Sequence, residues 1–113
     1  MAKFMILYNS PEKATETMAN ATPEEMQASM AEWIQWREKA SQNLKVDFGL
    51  PLQAIGAVNG NGTSASDSQV GGYSIIEGDR EMVMEVLKSH PQLKREGASI
   101  DVLEMLSMPG LDA

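Results

Sequence analysis

GGYSIIEGDREMVMEVLKSHP, residues 71–91, reads as a buried strand, a tight turn, a capped helix and a proline stop. Tyr73 and Ile75 alternate with Ser74 and Ile76, the period of two that puts successive side chains on opposite faces of a sheet. The strand spans 70–77. Gly78-Asp79 turns the chain, Asp79 is the natural N-cap, and Glu81 complements the positive end of the helix dipole. Met82, Val83, Val86 and Leu87 then make a one-sided helical stripe, with His90 next in register. Lys88 and His90 fall in the last turn, where positive charge is favoured, and Pro91 ends the helix. His90 is the only histidine in the chain.

Upstream of this unit, residues 46–58 (VDFGLPLQAIGAV) carry strand-like material interrupted by Gly49, Pro51 and Gly56, the signature of a bulged or edge strand. Residues 59–69 hold two Asn-Gly pairs, which favour positive φ and mark a hairpin tip. Their glycines do not form a phosphate-binding loop, because the G-x-G-x-x-G spacing is absent and no helix follows. Further back, Thr22, Pro23 and Glu25 give a capping box and a helix start. Met26, Met30, Trp33, Ile34 and Arg37 follow helical spacing, with Ala40 and Leu44 continuing it and Trp36 toward the edge of the stripe. Trp33 and Trp36 pack this helix onto a sheet, or one of them lines a ligand pocket at the helix edge.

Near the start, residues 3–8 (KFMILY) form an apolar strand, with Phe4, Ile6 and Tyr8 on one face and Met5 and Leu7 on the other. Residues 12–21 make a connection with room for a short helical turn. After Pro91, a polar connection over 92–98 leads to a last strand over 99–108, with Ile100, Val102 and Leu106 on one face and Asp101, Leu103 and Met105 on the other.

Composition narrows the function. The 113 residues suit one domain with one hydrophobic core, taken as residues 1–113. A net charge of −7, with nine Lys plus Arg in no cluster, argues against nucleic acid, whose phosphates need a basic patch. No cysteine is present, which removes disulfides, thiolate metal sites and a thiol nucleophile. With a single histidine, any transition-metal site would have to lean on carboxylates; neither metal nor cofactor is expected. The longest early apolar run is too short for a signal-peptide core or a membrane span, so no membrane partner is expected and the cytoplasm is the expected compartment.

The element order β-α-β-β-α-β predicts an α+β fold of ferredoxin-like type: a four-stranded antiparallel sheet with two helices on one face. The outer strands are apolar on both faces while the helices cover one. The uncovered face, with Met5, Leu7, Leu103 and Met105, would be a large apolar patch of a kind soluble monomers rarely show. A homodimer, packed face to face through a two-fold axis, is therefore expected, with a cavity between or beside the sheets. The nine methionines suit an adaptable interior.

GGYSII with the capped helix after it, the SHPQL that ends it, and the closing ASIDVLEMLSMPG resemble the YCII-related family, in particular its DGPF-like branch. The MAEWIQWREKA helix and the FGLPL stretch are similar to it as well. The resemblance covers nearly the whole chain and implies a dimeric α+β barrel. In the family's better-described branch it implies a His–Asp pair, the histidine on the first helix and the aspartate before a proline after the second. Here residues 22–45 hold no histidine, His90 stands before Pro91, and SDSQV (66–70) stands roughly where DGPF would be.

His90 is the natural candidate for general acid–base work, since its ordinary pKa lies near neutrality. Asp101 and Asp47 are the candidates to orient it. Trp36, Tyr73 and Asp47 are the candidate ligand-binding residues. Two functions stay open. One is a cofactor-independent enzyme that moves a proton on a small organic molecule with His90 and Asp101; it requires a solvent-reachable His90 beside a carboxylate. The other is a non-catalytic small-ligand binding or accessory module that uses the dimer cavity; it requires an apolar cavity with His90 outside it.

Overall fold

The computed structural model describes residues 2–110. Strand β1 (Lys3–Asn9) leads through helix α1 (Ala14–Asn20) into the long helix α2 (Pro23–Ala40) and the short strand β2 (Lys45–Asp47). A small hairpin, β3 (Ala57–Asn59) and β4 (Gly62–Ser64), precedes β5 (Val70–Glu77). Helix α3 (Arg80–Leu87), a single-turn 3-10 helix (Pro91–Lys94) and β6 (Ser99–Met105) complete the chain. The fold is α+β, built on a four-stranded sheet in the order β2-β5-β1-β6 with every neighbouring pair antiparallel.

Both long helices start as their sequences dictate. Thr22 Oγ1 accepts from the Glu25 backbone N–H at 3.1 Å, and the Glu25 carboxylate accepts from the Thr22 N–H at 3.2 Å. This capping box satisfies two of the orphan donors at the start of α2. Asp79 does the same for α3, accepting from Met82 N–H at 3.2 Å.

The sheet buries one face. Phe4, Ile6 and Tyr8 of β1 and Ser74 and Ile76 of β5 point beneath the helices, meeting Trp36 and Ala40 of α2, Leu44, and Val83 and Leu87 of α3. Val46, Ile100 and Val102 pack at the margin of this core. Helix α2 is rolled relative to the stripe its sequence suggests: Trp36 lies at the centre of the buried face, Trp33 is half-buried, and Met26, Met30 and Ile34 are exposed. The reason is the Trp36 indole, which buries the most apolar area on the helix while its N–H reaches the Val86 carbonyl at 3.0 Å. Residues 22–32 of α2 and its cap are exposed throughout.

The edge material after β2 is bulged, as the glycines and proline suggest. Gly49 has φ +70, and a Cβ there would lie 1.9 Å from the Tyr73 carbonyl oxygen. Beyond it the chain rejoins β5: Pro51 bridges to Gly72, Tyr73 N–H donates to Leu50 O and Leu52 N–H to Gly71 O. The Asn-Gly turn closes the β3–β4 hairpin, and among the described residues those two strands pair only with each other. The last strand ends at Met105, so Leu106 falls outside it and is exposed. The connection after Pro91 contains the 3-10 turn.

Candidate functional site

His90 is 2% exposed and stands under the helices, beyond the end of α3. Helix α3 is closed by Lys88, and His90 instead serves as the N-cap of the 3-10 helix, its Nδ1 accepting from Gln92 N–H at 2.9 Å. Pro91 is thus a start as well as a stop: it occupies the first position of a new helix, where its missing N–H costs nothing. The residue before a proline favours extended backbone, which an N-cap needs, and His90 has φ −66 and ψ 135. That dual use of proline was the signal available in the sequence.

With Nδ1 accepting, the neutral ring carries its proton on Nε2. Nε2 is buried and has no hydrogen-bond partner among the described residues. The ring is enclosed by aromatics: Trp36 at 4.3 Å between centroids, Trp33 at 4.5 Å and edge-on, and Tyr8 at 4.8 Å. Such an N–H is left with weak contacts to π faces. Burial pushes the imidazole pKa down from 6.5 to about 4, and the cap bond, which needs an unprotonated Nδ1, acts in the same direction. Tyr8 donates to Ser74 Oγ at 2.8 Å, and Ser74 donates on to the Phe48 carbonyl at 2.8 Å. Burial outweighs that bond and raises the Tyr8 phenol to about 12. These hydroxyls are occupied with one another, so the cluster is a sealed polar thread in an aromatic core.

Asp101 lies elsewhere. It pairs with Leu7 across β1 and β6, on the uncovered face, and its Oδ2 accepts from Asn9 Nδ2 at 2.9 Å. His90 touches Tyr8, whose side chain points to the other face, so the sheet separates histidine from aspartate. Tyr73 also pairs with Leu7, from β5, and Asp47 pairs with Ile75, so both share the uncovered face with Asp101. Asp47 additionally caps its own turn, accepting from Gly49 N–H at 3.2 Å. Trp36 belongs to the buried side as core. The five candidates therefore sort into two groups, Trp36 with His90 beneath the helices and Asp101, Tyr73 and Asp47 on the open sheet.

The open face has an apolar middle and a polar end. Met5 is flanked by Ile75 and Leu103, and Leu7 by Tyr73 and Asp101. Leu103 is 50% and Met105 44% exposed. At the end, Asn9, Ser99 and Asp101 form a hydrogen-bonded group. Asn9 and Ser99 carry no local signal in the sequence, and only the strand register brings them together. Among the described residues no group of three acidic or histidine side chains could hold a metal ion. No helix among them is long and apolar enough to cross a membrane.

In comparisons with known proteins, no family model, no curated protein and no solved structure matches the chain.

Proposed function

We propose that the chain is a homodimeric small-ligand binding module of the YCII-related type, a ferredoxin-like dimeric α+β barrel whose two open sheet faces enclose the ligand. The observation that carries this reading is the open face itself, apolar at Met5, Leu7, Ile75 and Leu103 and polar at Asn9 and Asp101. Apolar side chains in contiguous array on a sheet are best buried by a second copy, and a concave apolar space with a few convergent polar groups is the usual form of a ligand site. With the β3–β4 hairpin set aside, the strand order is also the one a split β-α-β-β-α-β chain gives. Tyr73 and Asp101 flank the apolar centre and would contact the ligand, a small organic molecule bearing a hydrogen-bond donor for the carboxylate.

Proton transfer by His90 has lost its support. The ring is enclosed, its Nδ1 is engaged by Gln92, and among the described residues no carboxylate bonds to it. The binding reading asks for an apolar cavity with His90 outside it, and the enclosed ring meets the second condition. Light scattering at micromolar concentration tests the assembly. The wild type is expected to be a dimer, and Leu103→Glu, which sets a charge in the middle of the face, a monomer. A monomeric wild type would overturn the proposal.

A further inference from the structure

At one end of the open sheet face the charges fall in a single row. Lys3 of β1 pairs with Glu77 of β5 and with Met105 of β6, and Glu77 pairs on to Lys45 of β2, so the row across the sheet reads Lys45, Glu77, Lys3, Met105. Lys3 and Glu77 stand two positions from Met5 and Ile75 along their strands, which puts them on the same face. Lys3 and Lys45 are exposed and Glu77 is half-buried. Among the described residues none of the three makes an ion pair; the pairs present join Lys88 to Glu85, Lys94 to Glu32 and Arg95 to Glu12. In a chain of net charge −7, this row alternates in sign and is basic on balance.

We infer that a second copy of this chain covers the open face about a two-fold axis parallel to the strands, between β1 and β5, so that Lys3 of each protomer meets the partner's Glu77. The inference rests on the dimer proposed above and adds its register. Two directions of axis can set a sheet face to face with its copy. An axis across the strands turns the partner end for end and lays the charged row on the apolar middle or on the neutral end at Asn9 and Ser99. Lys3 and Glu77 would then lose water without gaining an opposite charge, which is costly. An axis along the strands keeps each row facing itself and exchanges its two sides. The middle of the order β2-β5-β1-β6 lies between β5 and β1, so each β1 faces the partner's β5. The alternating row then complements its own copy, with lysine over glutamate twice in the dimer. Met5 meets the partner's Ile75 in the next row. Asp47 and Asp101 belong to different rows, so no acid faces an acid. Facing sheets stack about 10 Å apart, a gap that a lysine and a glutamate side chain span together. Charge matching of this kind sets register more than strength.

Charge reversal reads the register. Lys3→Glu sets acid over the partner's acid and Glu77→Lys sets base over base, so each variant alone should dimerise at least about tenfold more weakly than the wild type, the equivalent of about 1.4 kcal/mol. Mixed in equal amounts, the two should form a heterodimer in which every facing pair is opposite in sign, and native mass spectrometry counts the three species. Like charges set side by side within one chain stay so in the mixture, so recovery there reports contact between chains. Lys39→Glu mixed with Glu38→Lys, the same charge changes at exposed positions on α2, is the control and should show no preference. A wild-type dimer whose Lys3→Glu and Glu77→Lys chains mix at random, or stay monomeric together, overturns the register and leaves the dimer in place. A monomeric wild type overturns both readings.

Discussion

His90 and Asp101 stand on opposite faces of the same four-stranded sheet: Tyr8, against the His90 ring, and Leu7, across from Asp101, are consecutive residues of β1. Because side chains alternate along a strand, this single step in sequence separates the two groups by the thickness of a sheet. A paired acid and base must come within hydrogen-bond reach of one substrate. The imidazole is thereby assigned to the architecture, as the cap that turns the chain from α3 toward β6. The carboxylate stays with Tyr73 and Asp47 on the side that faces outward.

The histidine's burial sets its pH dependence. Its pKa in the folded chain is lowered to about 4, against 6.5 when unfolded. At pH values between these, the unfolded state binds the proton and the native state does not, so stability falls as pH falls. The loss begins near pH 6.5, is complete below about pH 4, and amounts to roughly 3 kcal/mol at about 1.4 kcal/mol per unit. NMR titration of this lone imidazole should give a midpoint near 4 in the wild type and an unchanged one in Asp101→Asn. Urea midpoints between pH 7 and 4.5 should fall more steeply for the wild type than for His90→Asn, which keeps a capping side chain without the titration. A native midpoint at 6.5 would contradict the enclosed ring.

Tyr8, Ser74 and the Phe48 carbonyl form a relay whose middle member matters most. Tyr8→Phe removes one donor and leaves Ser74 still bonded to Phe48, at a cost of about 1 kcal/mol. Ser74→Ala leaves both the buried phenol and the carbonyl without this partner, and should cost about 1–3 kcal/mol. In the double variant the second loss is partly absorbed, so the sum of the two single effects should exceed the measured total. Denaturant titration of the four proteins checks this, and strict additivity would show that the relay does not act as a unit.

The fold was legible because its signals are local and redundant. Alternation in KFMILY and GGYSIIE, the Thr22 and Asp79 caps and the Asn-Gly turn each name an element from a few neighbouring residues. What was not legible depends on long-range register. The roll of α2 is set by a bond from Trp36 to Val86, fifty positions away. Nothing near Asp101 reveals that it will bond Asn9, or that His90 will be closed over by Trp33 and Tyr8. The place of His90 is obscured for a nearer reason: SHP signals both the end of one helix and the beginning of another.

Under the proposed ligand-binding reading, Asp101 should govern ligand choice on the open face. Its carboxylate sits beside an apolar surface, so a small apolar amine, with a cationic donor and a hydrocarbon body, fits both parts of the site. Thermal-shift measurements with a panel of such amines should find stabilisation of the wild type that is reduced at least about tenfold in apparent affinity by Asp101→Asn, the usual scale for loss of a charge-assisted bond. Leu103→Glu should abolish it by separating the protomers of the proposed dimer. Stabilisation that survives both substitutions would place the ligand elsewhere on the chain.

Gly49 is where the sheet edge is most constrained. Its φ of +70 lies in the left-handed region, and a Cβ at this position would overlap the Tyr73 carbonyl. Gly49→Ala therefore strains the backbone and pushes β2 away from β5, so the bridge of Pro51 to Gly72 should weaken along with it. The expected loss is more than about 1 kcal/mol, the level at which an alanine in an incompatible conformation exceeds its entropic benefit. Gly62→Ala, at φ +127 with open space around the new methyl, carries backbone strain with no steric contact. Urea unfolding of both variants should rank Gly49→Ala as the more damaging. Hydrogen exchange should locate the difference at the Tyr73 and Leu52 amides, which hold the edge to β5. Equal destabilisation of the two would mean that the contact with Tyr73 relaxes without loss, and that the bulge is held by conformation only.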